Sequence, residues 1–277
     1  MTTIRPLHTI PEFREVIALE QEIWGASVPE DAVGIPLFAA TLKRGAILLG
    51  AYESRRLVGF VFSFPGLKDG RPMQWSHMLG VRPECRMSGI GGELKLAQRR
   101  VSLAMGIDLM EWTFDPLVAV NARLNFRRLG VVVEEYVVNA YGDSVSPLHK
   151  GAPTDRFIAQ WRMRSPRVEA LLCGAGAPGG GDSWGDAPCV NAVEHQGSWL
   201  ACKACDLARR ETRLTVAIPP RFTGMLERRP ELAYAWRLAT REIFTAYLSR
   251  GYQVVDFTFG PEAGRGTYLL QAGDQRV

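Results

Sequence analysis

The chain lacks any long apolar run, and no stretch approaches the roughly 18 consecutive apolar residues of a transmembrane helix. Its first residues, MTTIRPLHTIPEF, contain no apolar core of the kind that a secretory signal carries. A strong charge excess is also missing, because 33 Lys and Arg oppose 29 Asp and Glu and leave a formal charge of +4. We therefore expect no membrane, no nucleic acid and no secretion.

Cysteine is scarce and odd in number, with five in 277 residues. Without a secretory signal, this pattern predicts reduced thiols in a cytoplasmic protein. Cys202-x-x-Cys205, with Cys189 and His195 upstream, has partial zinc spacing. Because a second Cys-x-x-Cys pair is missing, we expect free thiols and no metal.

What the chain contains is typical of a soluble globular protein, with 47% hydrophobic and 22% charged residues. Its length exceeds the common domain size of about 100–150 residues, so one large domain or two smaller ones are expected.

Apolar patterning predicts a mixed α/β order. Strands are predicted at 46–52, 57–64, 73–81, 107–114, 131–139, 155–163, 212–218 and 252–259. The first 24 residues predict a strand-like start followed by an amphipathic helix, and further helices are predicted at 92–105, 119–129 and 230–249. Prolines and glycines predict loops at 65–72 and 173–186, the second a Gly-rich surface loop or linker.

A faint internal repeat is also present. Phe126-x-x-x-Gly130 followed by VVVEEYV resembles Tyr247-x-x-x-Gly251 followed by YQVVDFT. Two interpretations stay open: a common connection from a helix to a strand, or a partial duplicate of the core in the C-terminal segment.

The strongest local signal is residues 81–92, VRPECRMSGIGG, which follow a predicted strand and open a predicted helix. Free N–H groups at a helix N-terminus bind anions, and the helix dipole favours negative charge there. Glycines 89, 91 and 92 allow close approach of a phosphate to the backbone. The segment predicts a phosphate-binding turn, with a purely structural glycine turn as the alternative.

Two familiar phosphate loops do not fit this turn. A Walker loop needs Lys followed by Ser or Thr after its last glycine, where Glu93 and Leu94 stand. A dinucleotide fingerprint needs three glycines at one-then-two spacing, which Gly89-x-Gly91-Gly92 lacks.

The pattern Arg86-x-x-Gly89-x-Gly91 after Val-Arg-Pro-Glu resembles motif A of the GNAT superfamily of acyl-CoA N-acyltransferases. The resemblance covers 73–105, the strand at 107–114 and residues 119–139, with the upstream helix and hairpin in the family's order. It implies an α/β, GNAT-like fold over 1–165, with 166–277 as an appended C-terminal α/β segment. Three roles stay open for that segment: it completes the substrate cleft, it packs on the core sheet, or it forms a homodimer contact.

The resemblance also implies acyl-CoA as the co-substrate. In the family, amides of this turn bind the CoA pyrophosphate, and the preceding strand splays from its neighbour so that its backbone pairs with pantetheine. The CoA-binding residues implied here are Leu79, Gly80, Val81, Arg86, Met87, Ser88, Gly89, Ile90, Gly91 and Gly92. A backbone N–H at Leu79 or Gly80 is the expected oxyanion donor.

A second family motif resembles the region of Asn121, Asn125 and Phe126 before Gly130. The resemblance implies pantetheine contacts from these three residues. Phe126 occupies the usual position of a Tyr that protonates the leaving thiolate, and it cannot do so. The possible replacements are Tyr136, Tyr141 and Tyr247.

Direct attack of an amine on a thioester needs a base. His77 lies four residues before Val81, where many family members carry a catalytic Glu, and an imidazole titrates near neutrality. Glu111 in the next strand is a second candidate, which either faces a cleft or pairs with Arg. A substrate that carries a carboxylate needs a fixed cation, and Arg can bind a carboxylate with two hydrogen bonds. The candidate substrate-binding residues are Arg156, Arg127 and Arg128.

The longer stretch from FVFSFPG to PTDRF resembles a GNAT branch associated with N-acylamino acid racemases of the o-succinylbenzoate synthase type. That resemblance implies acetyl or succinyl transfer from acetyl-CoA or succinyl-CoA to a small-molecule amine such as an amino acid. A non-catalytic acyl-CoA sensor and a protein-lysine acetyltransferase are the alternatives.

Overall fold

The computed structural model describes residues 2–25, 33–142, 151–174, 184, 186–260 and 264–273. Among these, residues up to Trp112 form one compact unit and those from Thr113 onward form a second. The domain boundary that the sequence predicts, near residue 165, stays a prediction.

The first unit is a five-stranded sheet in the order β1-β2-β3-β4-β5, with helices along it. β1 to β4 pair antiparallel, and β4 and β5 pair parallel. Its elements are β1 (Thr2–Pro6), α1 (Ile10–Trp24), α2 (Ile35–Leu42), β2 (Ile47–Glu53), β3 (Arg56–Lys68), β4 (Arg71–Val81), a 3-10 turn (Pro83–Cys85), α3 (Ile90–Ala104) and β5 (Leu109–Phe114).

Two apolar clusters cover the two faces of this sheet. One joins α1 and α2 to β2, β3 and β4 around Phe13, Phe38 and Phe62. The other joins α3 to the opposite side of β2 and β3 through Ile90 and Leu94. The alternation of side chains along the strands places the two sets on different faces. α3, which follows the predicted turn, is thereby fixed against the sheet.

The predicted loop at 65–72 is wrong. β3 runs to Lys68 and β4 begins at Arg71, so the connection is the dipeptide Asp69-Gly70. Both residues have positive φ, 50° and 74°, as a type I′ hairpin turn requires. Pro65 and Pro72 lie inside the strands, opposite Gln74 and Leu67.

The second unit contains a sheet in the order β7-β6-β11-β12-β10 and a separate β8-β9 hairpin. Its elements are α4 (Ala119–Ala122), a π-helical segment (Arg123–Leu129), β6 (Val132–Val137), β7 (Arg156–Arg162), α5 (Pro166–Leu172), β8 (Asn191–Gln196), β9 (Trp199–Cys205), β10 (Arg213–Ile218), α6 (Phe222–Arg228), α7 (Pro230–Leu248), β11 (Tyr252–Gly260) and β12 (Arg265–Ala272).

The mixed α/β class is confirmed, and the predicted strands and helices are present with boundaries shifted by a few residues. Sequence patterning missed α2, α5, α6, β8, β9 and β12. Most of the Gly-rich loop predicted at 173–186 lies outside the described residues. No described helix is both long enough and apolar enough to cross a membrane.

The faint repeat corresponds to a repeated order of elements. β5, the helical run 119–129, β6 and β7 are followed later by β10, α7, β11 and β12 in the same roles. Gly130 and Gly251 each end the helix with positive φ, 72° and 83°. Val133 and Val254 lie three residues after those glycines and pair with each other at the centre of the strand order. This symmetry supports the partial-duplicate interpretation.

Glu20 on α1 generates a stability prediction. It is 3% exposed, and its Oε2 has no hydrogen-bond partner among the described residues. Burial raises the pKa of Glu20 from 4.5 to about 7, although the hydrogen bond that it accepts from the Val33 N–H acts to lower the pKa. The folded chain therefore holds this proton more tightly than the unfolded chain, and unfolding free energy falls as pH rises from 4.5 to 7.

We expect Glu20→Gln to raise the free energy of unfolding by about 3 kcal/mol at pH 8 and to leave it nearly unchanged at pH 4. Urea denaturation at both pH values measures the difference. Glu242→Gln, at an exposed helical glutamate, is the control and should show little effect at either pH. An equal gain at pH 4 and pH 8 for Glu20→Gln would contradict the assignment.

Candidate functional site

The predicted phosphate turn joins β4 to α3. After the 3-10 turn, Met87 and Gly89 both adopt left-handed backbone, with φ of 64° and 93°. Gly89 is the N-cap of α3, and no side chain among the described residues caps it. Turns of this kind aim backbone N–H groups toward one point, and the dipole of a 15-residue helix adds positive potential there. The turn thus has the geometry of an anion cradle.

Arginine side chains brace this turn from behind. Arg82 Nε donates to the Leu57 carbonyl at 2.8 Å, and Arg82 also pairs with Glu22 of α1. Arg86 Nε donates to the Val81 carbonyl at 3.2 Å. These contacts fix the backbone path between β4 and α3.

β4 and β5 part from each other part-way along β4. The parallel pairing consists of Gln74 with Met110 and Trp75 with Glu111. β4 nevertheless continues to Val81, paired on its other side with β3. The splayed strand that the family resemblance implies is therefore present, and it places backbone from Ser76 to Val81 along an opened edge.

A β-bulge lies within this opened part of β4. Phe62 pairs with Met78 and Ser63 pairs with Ser76, so His77 is the extra residue. Bulges re-aim side chains and occur next to active sites. The imidazole packs against Phe62 and Phe64, with ring centres 6.4 and 5.8 Å apart, yet the residue keeps an exposed surface. This partial burial lowers the pKa of His77 below its ordinary value of 6.5.

A buried lysine lies between α3 and the paired end of the strands. Lys95 Nζ donates to Ser76 Oγ at 3.0 Å and to Gln98 Oε1 at 2.9 Å. It also lies 3.4 Å from Met110 Sδ and 3.6 Å from the ring centre of Trp112. Complete burial lowers the pKa of Lys95 well below its usual range. Sequence reasoning missed this residue, because Lys95 looks like any charged position on a helix.

Glu111 is 5% exposed and forms an ion pair with Lys68 of β3. Of the two alternatives that the sequence left open, the ion pair is the one seen here, with Lys in place of Arg. A role of Glu111 as a base or water relay stays a prediction.

The three residues of the second motif differ in exposure. Asn121 is exposed, whereas Asn125 is 3% and Phe126 0% exposed. Phe126 packs edge-to-face on Phe114 and Tyr268, with ring centres 6.2 and 5.8 Å away. A contact of Phe126 with CoA is therefore not supported, because this aromatic packing encloses its ring. Asn121 is left as the accessible polar group of the motif.

The predicted substrate arginines are engaged inside the second unit. Arg156, 8% exposed, donates to the Asp155 carbonyl at 3.0 Å and lies 3.7 Å from the Asp115 carboxylate. The Arg237 guanidinium donates two hydrogen bonds to the Asp115 carboxylate, at 2.9 and 2.6 Å. Arg127 is bonded to the Phe257 carbonyl, which gives it a structural role.

Exposure distinguishes the three candidate tyrosines. Tyr247 is fully buried and bonded to the Asp206 carbonyl, and Tyr136 donates to Asp155 at 2.7 Å. Burial and the Asp155 charge raise the pKa of Tyr136, so it is a poor proton donor. Tyr141 is 54% exposed, and its hydroxyl lies 2.6 Å from Thr113 Oγ1 at the end of β5. Tyr141 is therefore the accessible hydroxyl among the three.

No family model and no curated protein sequence matches the chain. Solved structures similar to it include an acetyltransferase of the GNAT family from Streptococcus pneumoniae, 14% identical over 58% of this chain and 98% of that one, with a TM-score of 0.47. A GNAT family acetyltransferase from Elizabethkingia anophelis with acetyl-CoA bound is 16% identical over 58% and 97%, with a TM-score of 0.41.

The paia N-acetyltransferase from Thermoplasma acidophilum in complex with coenzyme A is 17% identical over 58% of this chain and 99% of that one, with a TM-score of 0.42. The first two of these neighbours are described as GNAT family acetyltransferases and the third as an N-acetyltransferase, and all three likenesses fall below a TM-score of 0.5. Any function must therefore be argued from the residues of this chain.

Proposed function

We propose that the protein is an acyl-CoA-dependent N-acyltransferase of the GNAT type. The observation that carries the proposal is the combination, on one strand, of an opened edge from Ser76 to Val81 and a left-handed anion turn directly after it. Pantetheine is an extended amide chain that can pair with a strand edge, and a pyrophosphate fits a nest at a helix N-terminus.

The CoA-binding residues in this proposal are those of the strand end and the turn. Leu79, Gly80 and Val81 supply backbone to the pantetheine arm, and residues 86–92 supply amides to the pyrophosphate. Asn121 and Asn125 are proposed as further pantetheine partners, with Asn121 the more accessible.

Acyl-CoA supplies the activated acyl group, and residues of the chain do the rest. His77 accepts a proton from the attacking amine, a backbone N–H at Leu79 or Gly80 stabilises the oxyanion, and Tyr141 donates a proton to the departing thiolate. The N–C bond forms, the C–S bond breaks, and no covalent enzyme intermediate is needed. Glu111 is the alternative base.

The proposed acceptor is the amine of a small molecule, an amino acid in the first instance, and the proposed acyl group is acetyl or succinyl. This follows the resemblance to the branch associated with N-acylamino acid racemases. Arg156 is the proposed carboxylate partner, although its guanidinium is already engaged by Asp115 and the Asp155 carbonyl. A cytoplasmic location and a homodimer belong to the same proposal.

A thiol-release assay over D- and L-amino acids, with acetyl-CoA and with succinyl-CoA, tests this function. Release with free amino acids supports it. Release with peptides alone would favour a protein acetyltransferase, and CoA binding without release from any acceptor would favour the sensor.

We expect Gly89→Asp to weaken CoA binding by more than about tenfold, because it adds a side chain and a like charge to a phosphate nest. Calorimetric titration with CoA measures the change. Gly106→Asp is a matched control, since Gly106 also has a left-handed φ, 80°, lies just beyond the other end of α3 and meets no atom within 4 Å of an added Cβ. Equal affinity of both variants would contradict the turn's assignment.

We expect His77→Ala to lower kcat at neutral pH by about 100-fold while CoA affinity is kept. In the native protein, kcat should fall as pH drops through the pKa of His77, below 6.5, because protonation removes the base. That acidic limb should be absent from the variant. His77→Phe keeps a ring against Phe62 and Phe64, so recovery of activity in it would show a packing role instead.

Tyr141→Phe keeps the ring and removes the hydroxyl. We expect kcat to fall by about 10- to 100-fold with little change in KM for acyl-CoA. Steady-state kinetics measures both constants. Tyr234→Phe, at a tyrosine 49% exposed on α7, is the control. Full activity of Tyr141→Phe would remove Tyr141 from the mechanism.

A further inference from the structure

The β8-β9 hairpin brings two cysteines together by means of a bulge. Cys202 pairs with Val193, Ala204 with Ala192 and Cys205 with Asn191, so Lys203 is the extra residue. In a regular strand, residues three apart point to opposite faces. The extra residue resets the alternation, and the two sulfur atoms lie 3.7 Å apart.

The surroundings of this pair make its two thiols unequal. Asn191 is 1% exposed, and its side chain is fixed by two bonds to the backbone of Ala217 on β10. Its Nδ2 points at Cys202 Sγ from 3.8 Å, and Cys205 Sγ lies 3.7 Å from the same sulfur, where either thiol can be the donor. When Cys202 is the thiolate, Cys205 is the donor of that bond. Because both donors favour the thiolate, the pKa of Cys202 falls to about 7, while that of Cys205 is raised.

We propose that Cys202 and Cys205 form a redox-active dithiol, a modification site at which a peroxide converts the pair into an intrachain disulfide. The Cys202 thiolate attacks one peroxide oxygen and breaks the O–O bond, which yields a sulfenic acid and, after protonation, water. Cys205 sulfur then displaces the sulfenic hydroxyl as a second water. Two thiols are oxidised, and one peroxide is reduced to two waters.

The step requires a small movement, because the sulfurs must approach from 3.7 Å to about 2.05 Å. Cys205 is the last residue of β9, and a turn follows it, so its backbone can shift without breaking the hairpin. Both cysteines are partly exposed, which admits a small oxidant.

The other described cysteines lack this arrangement. Cys173 is exposed, and Cys85 has its thiol pKa raised by burial and neighbouring carboxylates. Cys189 donates to the Asn191 carbonyl at 3.2 Å rather than to Cys202. The described residues also contain no group of three or more His, Cys, Asp or Glu side chains placed to hold a metal ion together. The close approach of the two sulfur atoms, 3.7 Å apart, is the arrangement from which a disulfide can form.

Peptide mapping of the full chain after a brief exposure to hydrogen peroxide tests the bridge. We expect one disulfide, between Cys202 and Cys205, with Cys173 still reduced and the bridge reversed by dithiothreitol. The Cys173→Ser variant should behave identically. Overoxidation of Cys202 without a bridge, or a bridge from Cys189 to either thiol, would overturn the proposal.

A second test measures the reactivity of the Cys202 thiol and does not require the disulfide to form. We expect Cys205→Ser to slow iodoacetamide labelling of Cys202 at pH 7 by about five- to tenfold, since the thiolate fraction falls more than its nucleophilicity rises. The labelling midpoint should move up from about 7. Cys189→Ser is the control and should leave the rate unchanged. An unchanged rate in Cys205→Ser would overturn the proposed pair.

Discussion

The opened edge of β4 depends on how firmly β4 and β5 are held where they do pair. Two lysines act there from opposite faces of the sheet. Lys68 of β3 pairs with Glu111, and Lys95 of α3 contacts Met110 and Trp112. Neighbouring residues of a strand point to opposite faces of the sheet. Lys68 therefore contacts Glu111 on one face, and Lys95 contacts the two neighbours of Glu111 on the other face. Beyond that level the ladder ends, and the bulge at His77 bends β4 away.

Under the proposed function, this arrangement separates the residues that stabilise the sheet from the strand edge that would bind acyl-CoA. A parallel ladder carried to the end of β4 would consume its N–H and C=O groups, and an acyl-pantetheine chain would find no edge. Lys95, which is bonded to Ser76 of β4, and Glu20 on α1 are both held in the interior at a cost in desolvation. Both residues are invisible as such in the sequence, because their burial is decided by packing between distant elements.

Local rules predicted much of the fold, and they failed where two local signals competed. Asp69-Gly70 is a strong hairpin signal, but Pro65 and Pro72 around it suggested a loop, and the structure accommodates both prolines within the strands. The glycine turn before α3 could be predicted because its glycines and the following helix are adjacent in the chain. The partners of Glu111 and Asp115, Lys68 and Arg237, are far away in sequence, so no spacing rule could have named them.

The faint sequence repeat bears on position 126, where Phe126 stands in place of the proton-donating Tyr that the family resemblance implies. Phe126 and Tyr247 each stand four residues before the glycine that ends their helix, and both are fully buried. The helix face that carries this position packs inward in both copies. In the second copy the residue is Tyr247, and its hydroxyl donates a hydrogen bond to the Asp206 carbonyl. Restoring a hydroxyl at 126 would therefore bury an added polar group in an aromatic core rather than supply an acid. In the proposed mechanism the proton donor therefore comes from outside that helix, and Tyr141 is the proposed residue.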